Sequence, residues 1–310
     1  MHTGPLMGNC HMTCDRSPLV LLHGLAMSGN AWRDVVPLVR VHHETHLPTA
    51  AGHRGGPPVQ RRPATMTDMV DAAERYLDDC GLDRPHIAGN SMGGFVAIEL
   101  ARRSRAASVC AFSPAGLWSS GDGFQQRAFG RLQRGVALGR LTRPFLPVIY
   151  SSPRLRRLIL RDVVCHADRI SAARALEFID DGIGCEVLAD LCADEWLIER
   201  LDPLPCPITI AWGEKESLLP AGVLDGVDRI PQASVKVLPD VGHVPMVDDP
   251  VYILKRELMW IPIFGWYVAR QKMIPVDRGA RGKVMVKVME RAKEEMAAGR
   301  QLIIYPEGTR

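Results

Sequence analysis

The sequence lacks an apolar run long enough to cross a bilayer. A transmembrane helix needs about 20 predominantly apolar residues, and the nearest stretch, Leu258 to Ala269, is shorter than that. The first residues also lack the apolar core of a signal peptide. We therefore expect a cytoplasmic protein, with peripheral membrane contact as the alternative.

Cysteine is present eight times, but without the paired spacing that is typical of zinc sites. The nearest arrangement is Cys10-His11-x-x-Cys14, and nothing downstream completes a set of four ligands. We therefore expect reduced thiols, as in a cytosolic protein, with no metal and no cofactor.

Charge is low overall and unevenly distributed. The 310 residues carry a net charge of +3, which does not indicate a nucleic-acid partner. Residues 251–310 contain 12 Lys and Arg against 6 Asp and Glu, whereas residues 1–250 contain 26 against 29. The last fifth of the chain is thus a basic segment attached to a mildly acidic body.

The most informative stretch is the Gly-x-Ser-x-Gly motif at Gly89 to Gly93. A short apolar run precedes it, and the mainly apolar run Phe95 to Ala101 that follows favours a helix. A serine on a sharp strand-to-helix turn exposes its hydroxyl, and the turn needs glycine on either side because a side chain there would collide with the backbone. The pattern predicts Ser91 as a nucleophile.

Strands alternate with helices along most of the chain, which favours a parallel α/β sheet. Residues 115–200 break this alternation, because they are mostly helical and rich in arginine. An insertion of this kind over the carboxyl ends of the strands would form a lid. The predicted strands are 18–22, 42–48, 85–89, 107–112, 208–212 and 234–238, and the clearest predicted helices are 32–41 and 66–80.

A serine nucleophile needs a base, and the base needs a carboxylate that fixes its tautomer. After Ser91 the chain offers both, in the order acid then histidine. Glu214 and Glu216 follow the strand that ends at Trp212, and His243 lies in a Gly-His loop after the next strand. An isolated histidine is more often structural, but a histidine in this order after the nucleophile turn is predicted to be the base.

Residues 18–250 resemble the α/β-hydrolase superfamily, in its lid-bearing branch of bacterial esterases. The resemblance rests on five motifs. It implies Ser91 as nucleophile, His243 as base, and the backbone N–H groups of Leu25 and Met92 as the oxyanion hole. The acid position is usually Asp in this family; here it aligns with Glu216, and Glu214 is the alternative. The motifs are His23-Gly24, Gly52-His53-Arg54-Gly55, Gly89 to Gly93, Trp212-Gly213 through Pro220, and Gly242 to Met246.

Residues 251–310 resemble a fragment of a different family, the 1-acyl-sn-glycerol-3-phosphate acyltransferases. The resemblance is carried by residues 254–262, 264–266, 274–278 and above all Tyr305 to Arg310. It implies that the acceptor phosphate contacts Arg278, Glu307, Gly308 and Arg310. That family also needs a His-x-x-x-x-Asp motif, whose spacing recurs at His243 and Asp248, about ten residues too close to the segment.

These observations predict an α/β-hydrolase fold with a helical lid, acting on a small acyl ester through an acyl-enzyme on Ser91. One alternative is acyltransferase activity, and another is an inactive fused or truncated chain with an open sheet edge. Membrane or lysophospholipid contact through 251–310 is the further alternative. The predicted parts are an unstructured 1–17, a core of 18–114 and 201–250, a lid of 115–200, and the segment 251–310.

Overall fold

A computed structural model describes residues 16–119, 121, 123–219 and 226–248. The chain divides into two compact units, Met1–Ile253 and Leu254–Arg310. The second unit and residues 1–15, which include the Cys10 to Cys14 motif, lie outside the described residues. The predicted unstructured segment 1–17 is one residue too long, because Ser17 begins the first strand and pairs with the neighbouring one.

A six-stranded sheet forms the centre of the first unit, with the order β2-β1-β3-β4-β5-β6 and every pair parallel. All six predicted strands are present, and the predicted α/β-hydrolase fold class is confirmed. Among the described residues the sheet ends at β2 and β6. The strands are β1 (Ser17–Leu22), β2 (His43–His46), β3 (His86–Asn90), β4 (Ser108–Phe112), β5 (Ile208–Gly213) and β6 (Ser234–Leu238).

Two elements between β1 and β3 show how local sequence sets the helix ends. The predicted helix over 32–41 is wrong in extent, because a 3-10 turn at Gly29–Trp32 is followed by only a short α1, Val36–Val39. Pro37 has no N–H for an intrahelical bond and is tolerated only in the first turn of a helix, so a helix cannot run through it from Trp32 and α1 begins at Val36 instead. By contrast, α2 (Met66–Asp79) begins with a reciprocal capping box between Thr65 and Asp68.

The predicted lid lies between β4 and β5 and is helical. An aromatic cluster joins it to the core, since the ring of Trp196 lies 4.7 Å from that of Phe129 and 6.2 Å from that of Phe95 on α3 (Met92–Arg102). The lid helices are α4 (Phe124–Thr142), α5 (Leu146–Ile149), α6 (Pro153–Leu160), α7 (Ala172–Ile183) and α8 (Leu188–Ala193), and a short α9 (Pro245–Asp248) follows β6.

The close approach of α3 to the sheet requires glycine at Gly93. A Cβ added there would lie 2.3 Å from the carbonyl oxygen of Leu22, and one added at Gly89 would lie 2.1 Å from the carbonyl oxygen of Gly93. Both contacts are with backbone atoms, which cannot move aside as a flexible side chain would.

We expect Gly93→Ala to lower the free energy of unfolding by at least about 3 kcal/mol or to prevent folding, because α3 must move off β1. Gly130→Ala is the matched control, since Gly130 is also inside a helix but an added Cβ meets nothing within 4 Å. That control should stabilise by about 0.5–1 kcal/mol. Urea denaturation measures both, and equal stabilities would contradict the steric argument.

Candidate active site

Ser91 lies on a sharp turn between β3 and α3. Its φ of 53° and ψ of −112° fall in a region that costs a non-glycine residue about 1–3 kcal/mol. Hydrogen bonds hold the turn, because the Ser91 N–H donates to the Phe112 carbonyl at 2.9 Å and the Ser91 carbonyl accepts from Phe95 at 3.0 Å and Ala115 at 3.1 Å. The neighbouring strand and helix thus maintain the strain, and Ser91 lines a cavity.

His243 and Glu216 form a buried, hydrogen-bonded pair. The Oε2 atom of Glu216 lies 2.8 Å from Nδ1 of His243, and the two side chains are 2% and 4% exposed. A hydrogen bond to a carboxylate places a proton on Nδ1, which leaves Nε2 as the nitrogen that can accept a proton. His243 lines the same cavity as Ser91. The structure thus brings three of the predicted site residues together.

The second oxygen of Glu216 is also bonded. Oε1 accepts from the backbone N–H of Leu218 at 2.9 Å and of Leu219 at 3.0 Å. Burial alone would raise the pKa of this carboxyl, but the positive charge and hydrogen bond of His243, with the Leu219 N–H, hold the pKa below its ordinary value. Glu216 is therefore favoured as a carboxylate.

Glu214, the alternative acid, lies elsewhere. Its Oε2 atom accepts from the backbone N–H of Asp240 at 3.1 Å and lies 3.7 Å from Nζ of Lys215. The side chain is half exposed, and the bond to Asp240 fixes the loop that carries His243 rather than the histidine ring. Of the two acids, the structure places Glu216 on His243.

The two predicted oxyanion donors, Leu25 and Met92, lie in the loop after β1 and directly after Ser91, respectively. Leu25 follows β1 and lines the cavity. Met92 is the first residue of α3, so its N–H is one of the four at a helix start that have no acceptor within the helix. Their role as donors stays a prediction.

His23 and His53 support the loop that carries Leu25. Nε2 of His23 accepts from the Ala50 N–H at 2.9 Å, so its proton is on Nδ1, which donates to the Gly24 carbonyl at 2.8 Å. Burial and the neighbouring His53 lower the pKa of His23 to about 3. Burial lowers the pKa of His53 to about 4. Both rings are therefore neutral parts of the framework.

Asn90 was missed by sequence reasoning, although it directly precedes the nucleophile. Its fully buried side chain donates to the His243 carbonyl at 2.8 Å and to the Phe112 carbonyl at 3.2 Å. The amide therefore ties the backbone of the base to the strand end that carries the nucleophile. Only the motif's position at the end of β3 could have drawn attention to this residue.

Asp248 does not pair with the His243 ring. Its carboxylate accepts from the backbone N–H of His166 at 2.7 Å and of Gly242 at 2.7 Å. Burial raises the pKa of Asp248, and these N–H groups partly oppose the rise. The residue connects the lid to the loop before His243. The other predicted acyltransferase residues, Arg278, Glu307, Gly308 and Arg310, lie outside the described residues.

A group of potential metal ligands in the described residues lies beside this connection. Ligand atoms of Cys165, His166 and Asp240 lie within 4.8 Å of one another. However, Nε2 of His166 already lies 2.9 Å from the Asp240 carbonyl and 3.2 Å from its carboxylate. These contacts give the group a structural explanation, which is that His166 in the lid contacts Asp240 on the loop that leads to His243.

The cavity above Ser91 has a volume of about 190 Å³ and is mostly apolar. No hydrogen bond joins the Ser91 hydroxyl to His243 among the described contacts; in unliganded sites such bonds are often long and tighten with substrate. The apolar lining comes from the sheet edge and the lid, and it includes Leu25, Met27, Phe129, Leu132, Val136, Ile159, Leu160, Val163, Phe178, Ile179, Leu218 and Val244.

Comparison with protein families agrees with this architecture. The model of the alpha/beta hydrolase family matches residues 19–256. The chain belongs to the α/β hydrolase family. A second model, named Acyltransferase, matches residues 240–310. The two matched ranges overlap, and His243 and Asp248 lie in the overlap.

Proteins with similar sequences include an epoxide hydrolase and a methyl ester esterase. This α/β hydrolase is 28% identical over 188 residues to epoxide hydrolase EphH of Mycobacterium tuberculosis, covering 59% of this chain and 88% of that protein. It is 26% identical to the pimeloyl-[acyl-carrier protein] methyl ester esterase of Aromatoleum aromaticum, covering 76% and 94%. The family and these relatives support a hydrolase.

Similarity to solved structures supports the fold. A carboxylesterase, CesB from Bacillus subtilis, gives a TM-score of 0.58 at 18% identity, covering 80% of this chain and 84% of that one.

At the carboxyl end, 58 residues are 38% identical to the 1-acyl-sn-glycerol-3-phosphate acyltransferase of Pseudomonas aeruginosa. That match covers 19% of this chain and 23% of that protein. In the described part of the chain, no helix is long and apolar enough to cross a bilayer.

Because His53 is neutral in the folded protein, we expect the free energy of unfolding to depend on pH. Its folded pKa of about 4 lies below the ordinary 6.5, so the unfolded chain binds the proton more readily between these values. The stability that depends on neutral His53 is fully present above pH 6.5 and is lost as pH falls toward 4, at up to about 1.4 kcal/mol per pH unit.

His53→Asn removes this titration and keeps a donor for the Ala51 carbonyl, which His53 Nδ1 contacts at 3.1 Å. We expect the variant's free energy of unfolding to fall less steeply between pH 6.5 and 4, and to run parallel to the parent above pH 7. Urea unfolding across this range measures both slopes. Parallel curves at acid pH would show that His53 titrates normally in the folded protein.

Proposed function

We propose that this α/β hydrolase is a serine esterase that cleaves a carboxylic ester through an acyl-enzyme on Ser91. Two observations carry the proposal: Glu216 and His243 form a buried pair, and His243 lines the same apolar cavity as the strained Ser91. A paired carboxylate and imidazole next to a serine hydroxyl is the arrangement that activates oxygen nucleophiles.

In the proposed reaction, the Ser91 oxygen attacks the ester carbonyl while Nε2 of His243 takes its proton. The negative charge that develops on the carbonyl oxygen is stabilised by the N–H groups of Leu25 and Met92. The carbon–oxygen bond to the alcohol then breaks, and His243 returns the proton to the alcohol. Water, activated by the same histidine, releases the acid, and Glu216 stabilises the imidazolium in both halves.

The choice of ester over epoxide rests on the nucleophile. The branches of the superfamily that open epoxides attack with aspartate, whereas the turn in this chain carries Ser91. The cavity lining favours an apolar acyl or alcohol group, because it offers aliphatic and aromatic side chains around the reacting atoms. A small, largely apolar ester is therefore the substrate class that we infer.

The second candidate is acyl transfer to a lysophospholipid, which is favoured by the matched acyltransferase segment at 240–310. It would use His243 with Asp248, and Arg278 with Glu307 to Arg310. In the described residues, however, His243 and Asp248 have different partners. The two candidates differ in one respect that can be measured, because acyl transfer to lysophosphatidate does not need Ser91.

Ser91→Ala should lower the turnover of a short-chain nitrophenyl ester by at least about a thousand-fold and abolish labelling by a fluorophosphonate probe. Ser104→Ala is the matched control, because Ser104 is also a non-glycine residue with positive φ, 62°, but is exposed and outside the cavity. Peptide mass spectrometry locates the adduct. Acyl-CoA consumption that requires lysophosphatidate and survives in Ser91→Ala, with no adduct on Ser91, would support the second candidate instead.

Glu216→Gln should reduce kcat strongly, because an amide cannot stabilise the imidazolium. Loss of the histidine's carboxylate in serine proteases costs about 10⁴-fold. Glu214→Gln should stay within a few-fold of the parent, since Glu214 contacts Asp240 and Lys215 rather than the His243 ring. Steady-state kinetics on the same ester compares the two variants, and equal losses would contradict the assignment of Glu216.

A further inference from the structure

One stretch of the lid has an unusual charge composition. Residues 123–161 contain nine arginines and no Asp, Glu or Lys, although the whole chain is nearly balanced with 38 basic and 35 acidic residues. Six of the nine arginines are exposed, and Arg156 is buried. The exposed ones are Arg127, Arg134, Arg140, Arg154, Arg157 and Arg161.

Three of these arginines have carboxylates from outside the stretch as neighbours. Arg143 pairs with Asp180, and Arg157 and Arg161 lie 3.8 Å from Asp168 and Asp162, respectively. Ion pairs at that separation on an exposed surface are weak. The outward side of α4, α5 and α6 is therefore strongly basic.

The same stretch exposes large apolar side chains. Ten such residues are exposed in the described part of the chain, and seven of them belong to α4, α6 or the segment with α5 between them. Leu141 and Val148 are each 78% exposed. We call these seven residues, taken together with the six exposed arginines, the lid surface. The seven are Leu138, Leu141, Phe145, Val148, Leu155, Leu158 and Ile159.

The spacing shows that this exposure is an organised face. Leu138 and Leu141 in α4 are three residues apart, and Leu158 and Ile159 in α6 lie three and four residues after Leu155, which places each set on one side of its helix. The opposite sides pack inward through Phe129, Leu146 and Leu160, which are buried. The helices α4, α5 and α6 all contact α7, which supports them from behind.

The lid surface borders the cavity that contains Ser91. Ile159 is 47% exposed and also lines the cavity, as does Arg131. Ile159 therefore belongs both to the lid surface and to the lining of the cavity.

We propose that the lid surface, formed by α4, α5 and α6, docks on an anionic phospholipid bilayer. Protruding apolar side chains surrounded by arginine are the features that let a helical surface insert at the headgroup level of anionic membranes. The occupant is identified by charge complementarity. A second copy of this surface would bring two sets of arginines together, and a nucleic acid would leave the aliphatic side chains exposed to water. The inference does not rest on the proposed esterase activity.

The test is vesicle flotation of the full chain with phosphatidylcholine alone and with phosphatidylcholine mixed with phosphatidylserine. We expect binding only to the anionic vesicles, and about ten-fold or greater weakening in Leu141→Gln/Val148→Gln, which removes two apolar contacts. The matched control is Val235→Gln/Val237→Gln, since these valines are exposed on β6, away from the lid. That control should bind like the parent.

A second pair of variants separates the lid from the basic carboxyl-terminal segment. Arg134→Glu/Arg154→Glu should weaken binding to anionic vesicles more than Lys255→Glu/Lys272→Glu does. Loss of binding only in the latter pair, or unchanged binding in Leu141→Gln/Val148→Gln, would overturn the proposal. So would concentration-dependent self-association that the Leu141 and Val148 substitutions abolish while vesicle binding is absent. Fluorophosphonate labelling of Ser91 should be unchanged in all variants, so failure here is distinguishable from failure of the esterase proposal.

Discussion

The close contact between α3 and the carboxyl end of β1 is the constraint on which the site depends. Gly93 lies against the Leu22 carbonyl, closer than any side chain would allow. This contact sets the nucleophile turn beside the loop that follows β1, so that Met92 begins its helix next to Leu25. The left-handed conformation of Ser91 follows from the same contact, because the chain must reverse within a few residues between β3 and α3.

Four hydrogen-bond contacts hold the loop that carries His243. Glu216 holds the ring, Asn90 bonds the His243 carbonyl, Asp248 bonds the Gly242 N–H, and Val163 in the lid accepts from the Val244 N–H at 3.2 Å. Two of these contacts involve the strand ends, and two involve the lid or its connection through Asp248. The lid is therefore more than a cover over the cavity, because it also helps to hold the loop that carries His243.

The fold and three of the site residues could be predicted because they are encoded locally. Alternating apolar runs specify parallel strands, and the glycines around Ser91 specify the turn between β3 and α3. The contact of Asn90 with His243 and that of Asp248 with His166 could not be predicted, because the partners lie 153 and 82 residues apart in the chain and are bonded through backbone atoms. Main-chain partners leave no residue-type pattern. The prediction of one helix over 32–41 was wrong for a local reason, because apolar periodicity alone does not take the proline at position 37 into account.

The overlap of the two family matches raises a physical conflict at His243. A histidine that serves as a base must present one nitrogen to its substrate and hold its proton on the other, so a single carboxylate partner selects its tautomer and orientation. In this structure Glu216 is that partner, and Asp248 is occupied by two backbone N–H groups that join the lid to the His243 loop. To pair Asp248 with His243, the chain would have to release both groups and break the buried pair with Glu216. In the described part of the overlap, residues 240–248, His243 therefore pairs with Glu216 and not with Asp248.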